Sequence, residues 1–299
     1  MLTKDQLDHY HEFGYLKLPH FIDEPEVTIL RNEVQRMIDS APVGRDQPVD
    51  RMGNAVDHPH DFAFMNLPED QVAGKKRQIL NRISNQCARS EVMRQAYGNP
   101  KLLRCVESLY GEDFVPFAES IVIKLPDEGA PFFWHQDGNF KTGPVLERGV
   151  NFGIYLYPST EENGCLRVIP KSHTWGQVDL ETMIAEHGER LPDSIPVPAE
   201  PGDVLVHSRN LIHGSFTNTS PDMRITVYFG YHARKTVEDV YPTEHIRQRM
   251  ELIPQAIGAR AQSGLYPTEE SFVYQPLKNG SSLGAAEQEQ SLRTPALGV

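Results

Sequence analysis

Apolar positions follow two rhythms along this chain, and the switch between them divides it. Before about residue 112 the spacing is helical. Val27, Leu30, Val34 and Ile38 fall on one stripe of a helix that Asp23-Glu24-Pro25-Glu26 opens and that runs to about Ser40. An earlier helix starts at a capping box, Thr3-Lys4-Asp5-Gln6, and is expected to end at Gly14, with a short strand at 15–18. Helical spacing returns from about Ser90 to Tyr110 and stops at Gly111. Between these helices, Ala41 to Pro68 is rich in Pro, Gly, Asp and His, which predicts a long loop of the kind that often carries function.

From Phe114 onward the rhythm becomes that of short strands broken by Pro- and Gly-rich turns. Strands are expected at 114–124, 131–136, 150–157, 165–169, 203–208, 212–217 and 224–232. Helices first and many strands later predict one mainly β domain with supporting helices, a sandwich or barrel, not two independent domains. In that reading 1–112 is helical support plus a substrate loop, 113–235 the β core and 236–280 a lid or C-terminal segment. The Gly/Ala/Ser/Gln-rich tail 281–299 is expected to be mobile.

Composition narrows the function classes. The 299 residues carry a net charge of −12 with no long Lys/Arg run, which disfavours nucleic acid and anionic membranes as partners. No apolar run approaches the length of a membrane span, and Met1-Leu2-Thr3-Lys4-Asp5 lacks a signal-peptide core. Cys87, Cys105 and Cys165 stand apart, so neither a disulfide scaffold nor a thiolate zinc site is expected. A reducing cytoplasm fits these features.

The candidate chemistry lies in Trp134-His135-Gln136-Asp137-Gly138. In extended backbone, side chains at i and i+2 share a face, so His135 and Asp137 converge. Two histidines and one carboxylate on one octahedral face suffice to hold Fe(II) with positions left open. The third ligand is expected to be His213, which follows the strand-like 203–208; His207 is its main rival. Eleven positions after His213 comes Arg224-Ile225-Thr226-Val227, a strand pattern with Arg224 and Thr226 on one face. A guanidinium with a hydroxyl beside it can grip a carboxylate.

These residues resemble the phytanoyl-CoA dioxygenase-type family of Fe(II)/2-oxoglutarate oxygenases. The resemblance rests on Trp134-His135-Gln136-Asp137, the run from Glu162-Asn163-Gly164-Cys165 to Lys171-Ser172-His173, Pro201-Gly202-Asp203, and His213-Gly214-Ser215 through Arg224. The N-terminal Phe13-Gly14-Tyr15-Leu16 and Phe21-Ile22-Asp23 also match, so it spans roughly 3 to 235. It implies a double-stranded β-helix, a jelly-roll and cupin-like core. It implies Fe(II) on His135, Asp137 and His213, and 2-oxoglutarate held by Arg224 and Thr226, with Arg82 and Ser120 as further contacts. O2 and 2-oxoglutarate would yield succinate and CO2, with ascorbate in a supporting role. The carboxylate of Asp137 stands where halogenases of this broad fold carry a small residue, so oxygen transfer is implied over halogenation. Gly153 stands where some relatives carry a bulky aromatic, which would widen the pocket unless another side chain fills it.

The function expected is therefore oxidation of a small organic substrate, by hydroxylation as the default, with desaturation, epoxidation or cyclisation using the same site. Secondary metabolism is the expected setting. Substrate contacts are expected from Met52, His58, His60, Phe133, Asn139, Phe140 and Gly153, with Phe62 and Phe64 nearby in the early loop. The alternative is a cupin-like metal-dependent isomerase or small-molecule binding protein without O2 chemistry, which would not need Arg224 at its spacing. Oligomeric state is left open, a homodimer included. His173 reads as a structural turn residue, Arg167 as a surface ion-pair partner, and Cys165 as a small core residue.

Overall fold

A computed structural model describes residues 1–67, 78–126, 129–137, 149–238 and 240–275. Asn139, Phe140 and the tail 281–299 lie outside the described residues. Two antiparallel sheets form the frame. The larger runs in the order β1 (Tyr15–Leu18), β9 (Val204–Ser208), β6 (Gly149–Tyr155), β11 (Arg224–Ala233), β4 (Phe114–Lys124), β3 (Gln78–Ser84), β2 (Phe62–Asn66). The smaller runs β5 (Phe132–His135), β10 (His213–Ser215), β7 (Leu166–Val168), β8 (Ile195–Val197). Non-consecutive neighbours and two facing antiparallel sheets make a jelly roll, the double-stranded β-helix.

Alternation along the strands decides what each face does. Ile121 and Ile123 of β4, Phe152 and Ile154 of β6, and Ile225, Val227 and Phe229 of β11 join one core with the helices. Each such side chain contributes about 1.5–3 kcal/mol by leaving water. The other face of the same strands carries polar residues: Ser120 and Lys124, Asn151, His207, and Arg224, Thr226 and Tyr228. It looks toward the smaller sheet, so the helical layer holds one side of the large sheet while the other side is free to build a site.

The helices form where their signals stand. Thr3 and Gln6 close a reciprocal capping box on α1 (Lys4–Phe13), and Gly14 ends it at φ 82°. A Cβ on Gly14 would also lie 2.5 Å from the His173 ring, whose other nitrogen meets the His11 carbonyl at 3.2 Å. His173 is thus the structural turn residue expected. Asp23 caps α2 (Glu24–Asp39) by accepting from Glu26 N.

Three expectations need correction. The helix expected over 90–110 is broken into α4 (Glu91–Tyr97) and α5 (Pro100–Tyr110), because the Asn99 side chain caps a new helix and Pro100 cannot continue the old one. The loop expected over 41–68 ends early, since Phe62–Asn66 forms edge strand β2 against β3, a strand the sequence pattern did not reveal. Of the region 236–280, expected as a lid or C-terminal segment, the two helices pack against the large sheet and the main core. Here α7 (Thr243–Met250) lies along β4, and α8 (Leu252–Gln262) buries Leu252, Ile253 and Ala256 in the main core. Arg260 locks α8 in place through Glu26 of α2 at 2.7 Å and through Glu269. No described helix is long and apolar enough to cross a membrane.

Candidate metal and cosubstrate site

His135 ends β5 and His213 begins β10, and these two residues face each other directly across the strand pair. Their ring centroids are 4.2 Å apart. Asp137 follows His135 by one turn position and reaches back, with Oδ1 3.5 Å from His135 Nε2 and Oδ2 3.6 Å from His213 Nε2. One ligand atom from each of the three lies within 4.8 Å of the others. The sequence pair His-x-Asp and the distant His213 are therefore brought to one point, as the spacing led us to expect.

Both rings are oriented by main-chain carbonyls. His135 Nδ1 meets Phe133 O at 2.7 Å, and His213 Nδ1 meets Leu211 O at 2.8 Å. A carbonyl can only accept, so each Nδ1 carries a proton, and each Nε2 is the nitrogen turned toward Asp137. Burial first, and the neighbouring imidazoles second, hold the His213 pKa well below the usual imidazole range; burial would lower the His135 pKa too, but Asp137 beside it raises it. Burial would raise the Asp137 carboxyl, but the Arg209 charge, with the hydrogen bonds of the surrounding histidines, holds it well below the usual carboxylate range. The site has an open side: His135 is 41 % exposed and Phe133 64 % exposed, whereas His213 is 7 % exposed.

The rival, His207, sits close behind on β9. Its Nε2 is 3.8 Å from Asp137 Oδ2, but that nitrogen is 3.3 Å from Asn151 Nδ2 and so accepts from the amide. Asn151 also donates to Asp137 Oδ2 at 2.5 Å, and its own oxygen accepts from Arg209, which in turn donates to the Asp137 carbonyl. Sequence reasoning missed Asn151 and Arg209. The available signal was that Asn151 and His207 are polar residues within apolar strand patterns.

Across the same space, Arg224 is fully enclosed by the sheets. It donates to Gly164 O at 3.0 Å and to Thr226 Oγ1 at 3.2 Å, and it meets no carboxylate among the described residues. Its Nε and the nearby Tyr155 hydroxyl are buried without hydrogen-bond partners. Tyr155 was another residue missed, hidden by its apolar run. A buried cation with orphaned donors beside it is costly unless an anion completes it. This donor set fits a carboxylate, and the triad's two imidazoles and one carboxylate fit Fe(II).

The other expected residues divide. Ser120 stands on the inward face opposite Tyr228. Arg82 also faces inward, opposite Val122, but it lines a cleft with Arg45, Phe64 and Phe132 that includes neither the triad nor Arg224. Gly153 does not open a pocket: Tyr228 stands opposite it, and a Cβ at Gly153 would lie 2.6 Å from the Tyr228 ring. Met52, His58 and His60 are exposed. Asp50 holds the Met52 turn at 2.9 Å, and Arg89 holds the His58 carbonyl at 2.6 Å. Arg167 pairs with Glu161 at 3.0 Å, and Cys165 is a buried free thiol.

The family model for phytanoyl-CoA dioxygenase (PhyH) matches residues 10–226. The chain belongs to the phytanoyl-CoA dioxygenase family. Members similar to it include the methylphosphonate hydroxylase of Gimesia maris, 30 % identical with 78 % of this chain and 81 % of that one covered. The ectoine dioxygenase of Bordetella bronchiseptica is 25 % identical, with 78 % and 76 % covered. Among solved structures, EctD from S. alaskensis with 2-oxoglutarate and 5-hydroxyectoine superposes with a TM-score of 0.60 at 22 % identity, covering 79 % of this chain and 77 % of that one. That likeness carries the jelly-roll fold of the family to this member.

Proposed function

We propose that this phytanoyl-CoA dioxygenase family member is an Fe(II)/2-oxoglutarate-dependent dioxygenase that hydroxylates a small organic substrate. His135, Asp137 and His213 hold the metal. Arg224 and Thr226, with Tyr155 beside them, hold the far carboxylate of 2-oxoglutarate. The observation that carries the reading is the pairing of two features on facing sheets. One is a face of two imidazoles and a carboxylate with an open side; the other is a buried guanidinium lacking a carboxylate among the described residues. A cupin-like isomerase would leave Arg224 buried at a cost and without a purpose.

Ferrous iron with 2-oxoglutarate and O2 supplies the oxidising power, one oxygen atom going to substrate and one to succinate as CO2 leaves. The chain's own residues do the positioning. The carbonyls of Phe133 and Leu211 fix both imidazoles in the ligating tautomer. Asn151 and Arg209 hold the Asp137 carboxylate and main chain. Arg224 fixes the far end of the cosubstrate, so its reactive end lies toward the triad. Phe133, exposed beside His135, borders the side from which substrate enters.

Hydroxylation is favoured as the outcome by the relatives named for that reaction. A role in secondary metabolism is supported by the structural likeness to enzymes of nogalamycin biosynthesis. The test is succinate release from 2-oxoglutarate by the Fe(II)-loaded protein in air across a panel of small substrates. Release that needs Fe(II) and O2 and that disappears in Arg224→Met is expected. Failure to release succinate with every substrate and without substrate would contradict the proposal.

A further inference from the structure

We infer that Lys124 shares the far carboxylate of 2-oxoglutarate with Arg224, and that it takes up one proton from solvent as that carboxylate arrives. The inference rests on the oxygenase reading and deepens it, since it makes cosubstrate binding proton-linked. Two cationic side chains are buried side by side here. Lys124 of β4 and Arg224 of β11 are direct partners across the strand pair, at 0 % and 2 % exposed. Opposed side chains of an antiparallel pair start about 4.5–5.5 Å apart.

Their heads converge on Gly164. Its carbonyl accepts from Arg224 at 3.0 Å, and a Cβ built on it would lie 3.3 Å from Lys124 Nζ. The same Cβ would collide with the Phe216 carbonyl, which accepts from Lys124. Glycine, here at φ 76°, leaves this space to the two heads. Among the described residues no acid faces Lys124. Arg224 faces it from β11, the Cys165 thiol from the turn before β7, and the Phe132 ring from β5 at 5.6 Å. Glu161, whose charge reaches Cys165, is paired with Arg167 at 3.0 Å.

The donor count of Lys124 matches an uncharged amine. A neutral amine has two N–H groups, and Lys124 makes two hydrogen bonds, to the Ala130 and Phe216 carbonyls at 2.6 Å each. Two like charges so close in a dry interior do not both persist. A guanidinium cannot release its proton, so the lysine yields. Burial first, and the Arg224 charge second, accordingly push its ammonium down to about 6. Protonation would add a third N–H and a positive charge. A carboxylate on Arg224 offsets the repulsion that opposes this and accepts that third N–H. The balance is one solvent proton consumed per 2-oxoglutarate bound, with no covalent bond changed except the new N–H. Cosubstrate affinity therefore falls as pH rises.

The experiment is calorimetry of 2-oxoglutarate binding to the whole Mn(II)-loaded chain at about pH 8, in Hepes and in Tris. These buffers differ in ionisation heat, so the difference between the two titrations counts protons taken up. About one proton per 2-oxoglutarate is expected in the wild type, with affinity falling about tenfold per pH unit from about pH 7.5 to 9. Lys124→Gln keeps two N–H donors for the two carbonyls but cannot be protonated. It should bind 2-oxoglutarate with no proton uptake and with an affinity that is constant over the same range. Binding by the wild type without proton uptake would overturn the inference, and this decides the matter even if Lys124→Gln does not fold. Undiminished uptake in folded Lys124→Gln would overturn it too. Either result leaves the oxygenase reading standing, because 2-oxoglutarate binds in both. Failure of the wild type to bind 2-oxoglutarate anywhere in this pH range would overturn the oxygenase reading, and the inference with it.

Discussion

Asn151 donates a 2.5 Å hydrogen bond to the same Asp137 oxygen that faces His213. The second amide proton of Asn151 is directed at His207, and its oxygen is held by Arg209. The carboxylate is therefore fixed from behind before any metal arrives, and one of its oxygens is partly occupied. Partners of this kind that orient a ligand typically contribute 10- to 100-fold in metal affinity. Asn151→Leu is expected to weaken metal binding by roughly that factor, and calorimetry with Mn(II) or Co(II) in place of Fe(II) would show it. Unchanged affinity in a folded Asn151→Leu protein would mean that Asp137 needs no such support.

Arg224 separates a cosubstrate role from a structural one. Its guanidinium is buried with no carboxylate among the described residues, so the free protein bears its cost. Removing one partner of a buried charge pair costs about 2–5 kcal/mol of binding. Arg224→Met should therefore weaken 2-oxoglutarate binding by that amount while leaving the melting temperature equal or higher. A large drop in melting temperature with unchanged 2-oxoglutarate affinity would contradict the assignment.

Lys124 stands directly opposite Arg224 and is fully buried, with its ammonium nitrogen 2.6 Å from the carbonyls of Ala130 and Phe216. Burial first, and the Arg224 charge second, lower its pKa to about 6. An unfolded lysine titrates near 10.4, so between these values the unfolded chain binds a proton that the folded chain lacks. Stability from this group is then fully present above the unfolded value and is lost as pH falls toward 6. Urea midpoints taken from pH 6.5 to pH 9 should rise more steeply in the wild type than in Lys124→Met. Parallel slopes would show that Lys124 is charged in the folded protein.

Gly153 and Tyr228 share one space. Overpacking of this kind costs about 1–3 kcal/mol, so Gly153→Ala alone should destabilise by that amount. Adding Tyr228→Ala should make the Gly153→Ala change nearly neutral, as the coupling in a double-mutant cycle of denaturation free energies. Additive losses would mean that the ring is not what fills the position.

The legible part of this fold is the part that local chemistry dictates. Thr3, Asp23 and Gly14 mark helix ends because a side chain or a left-handed residue must satisfy backbone groups there, and they do so in the structure. His135, Asp137 and His213 were readable because a metal face constrains residue type and spacing together. The strands β2 and β3 were hidden because 78–84 mixes polar and apolar residues without alternation, its register being set by β4 and not by its own pattern. The packing of α8 was hidden for a similar reason: its anchor is Arg260, and the Glu26 partner lies 234 positions away. Asn151 could not be assigned from sequence because its work is to hold Asp137, a contact made only once β6 and the metal loop fold together.

Metal and cosubstrate binding at His135, Asp137 and His213 is tested most directly by anaerobic titration of Fe(II) into the protein with 2-oxoglutarate, followed in the visible range. A weak charge-transfer band that saturates at one iron per chain, and that is absent in Asp137→Ala, is expected. No band in the wild-type protein, or the same band in Asp137→Ala, would contradict the assignment of the site.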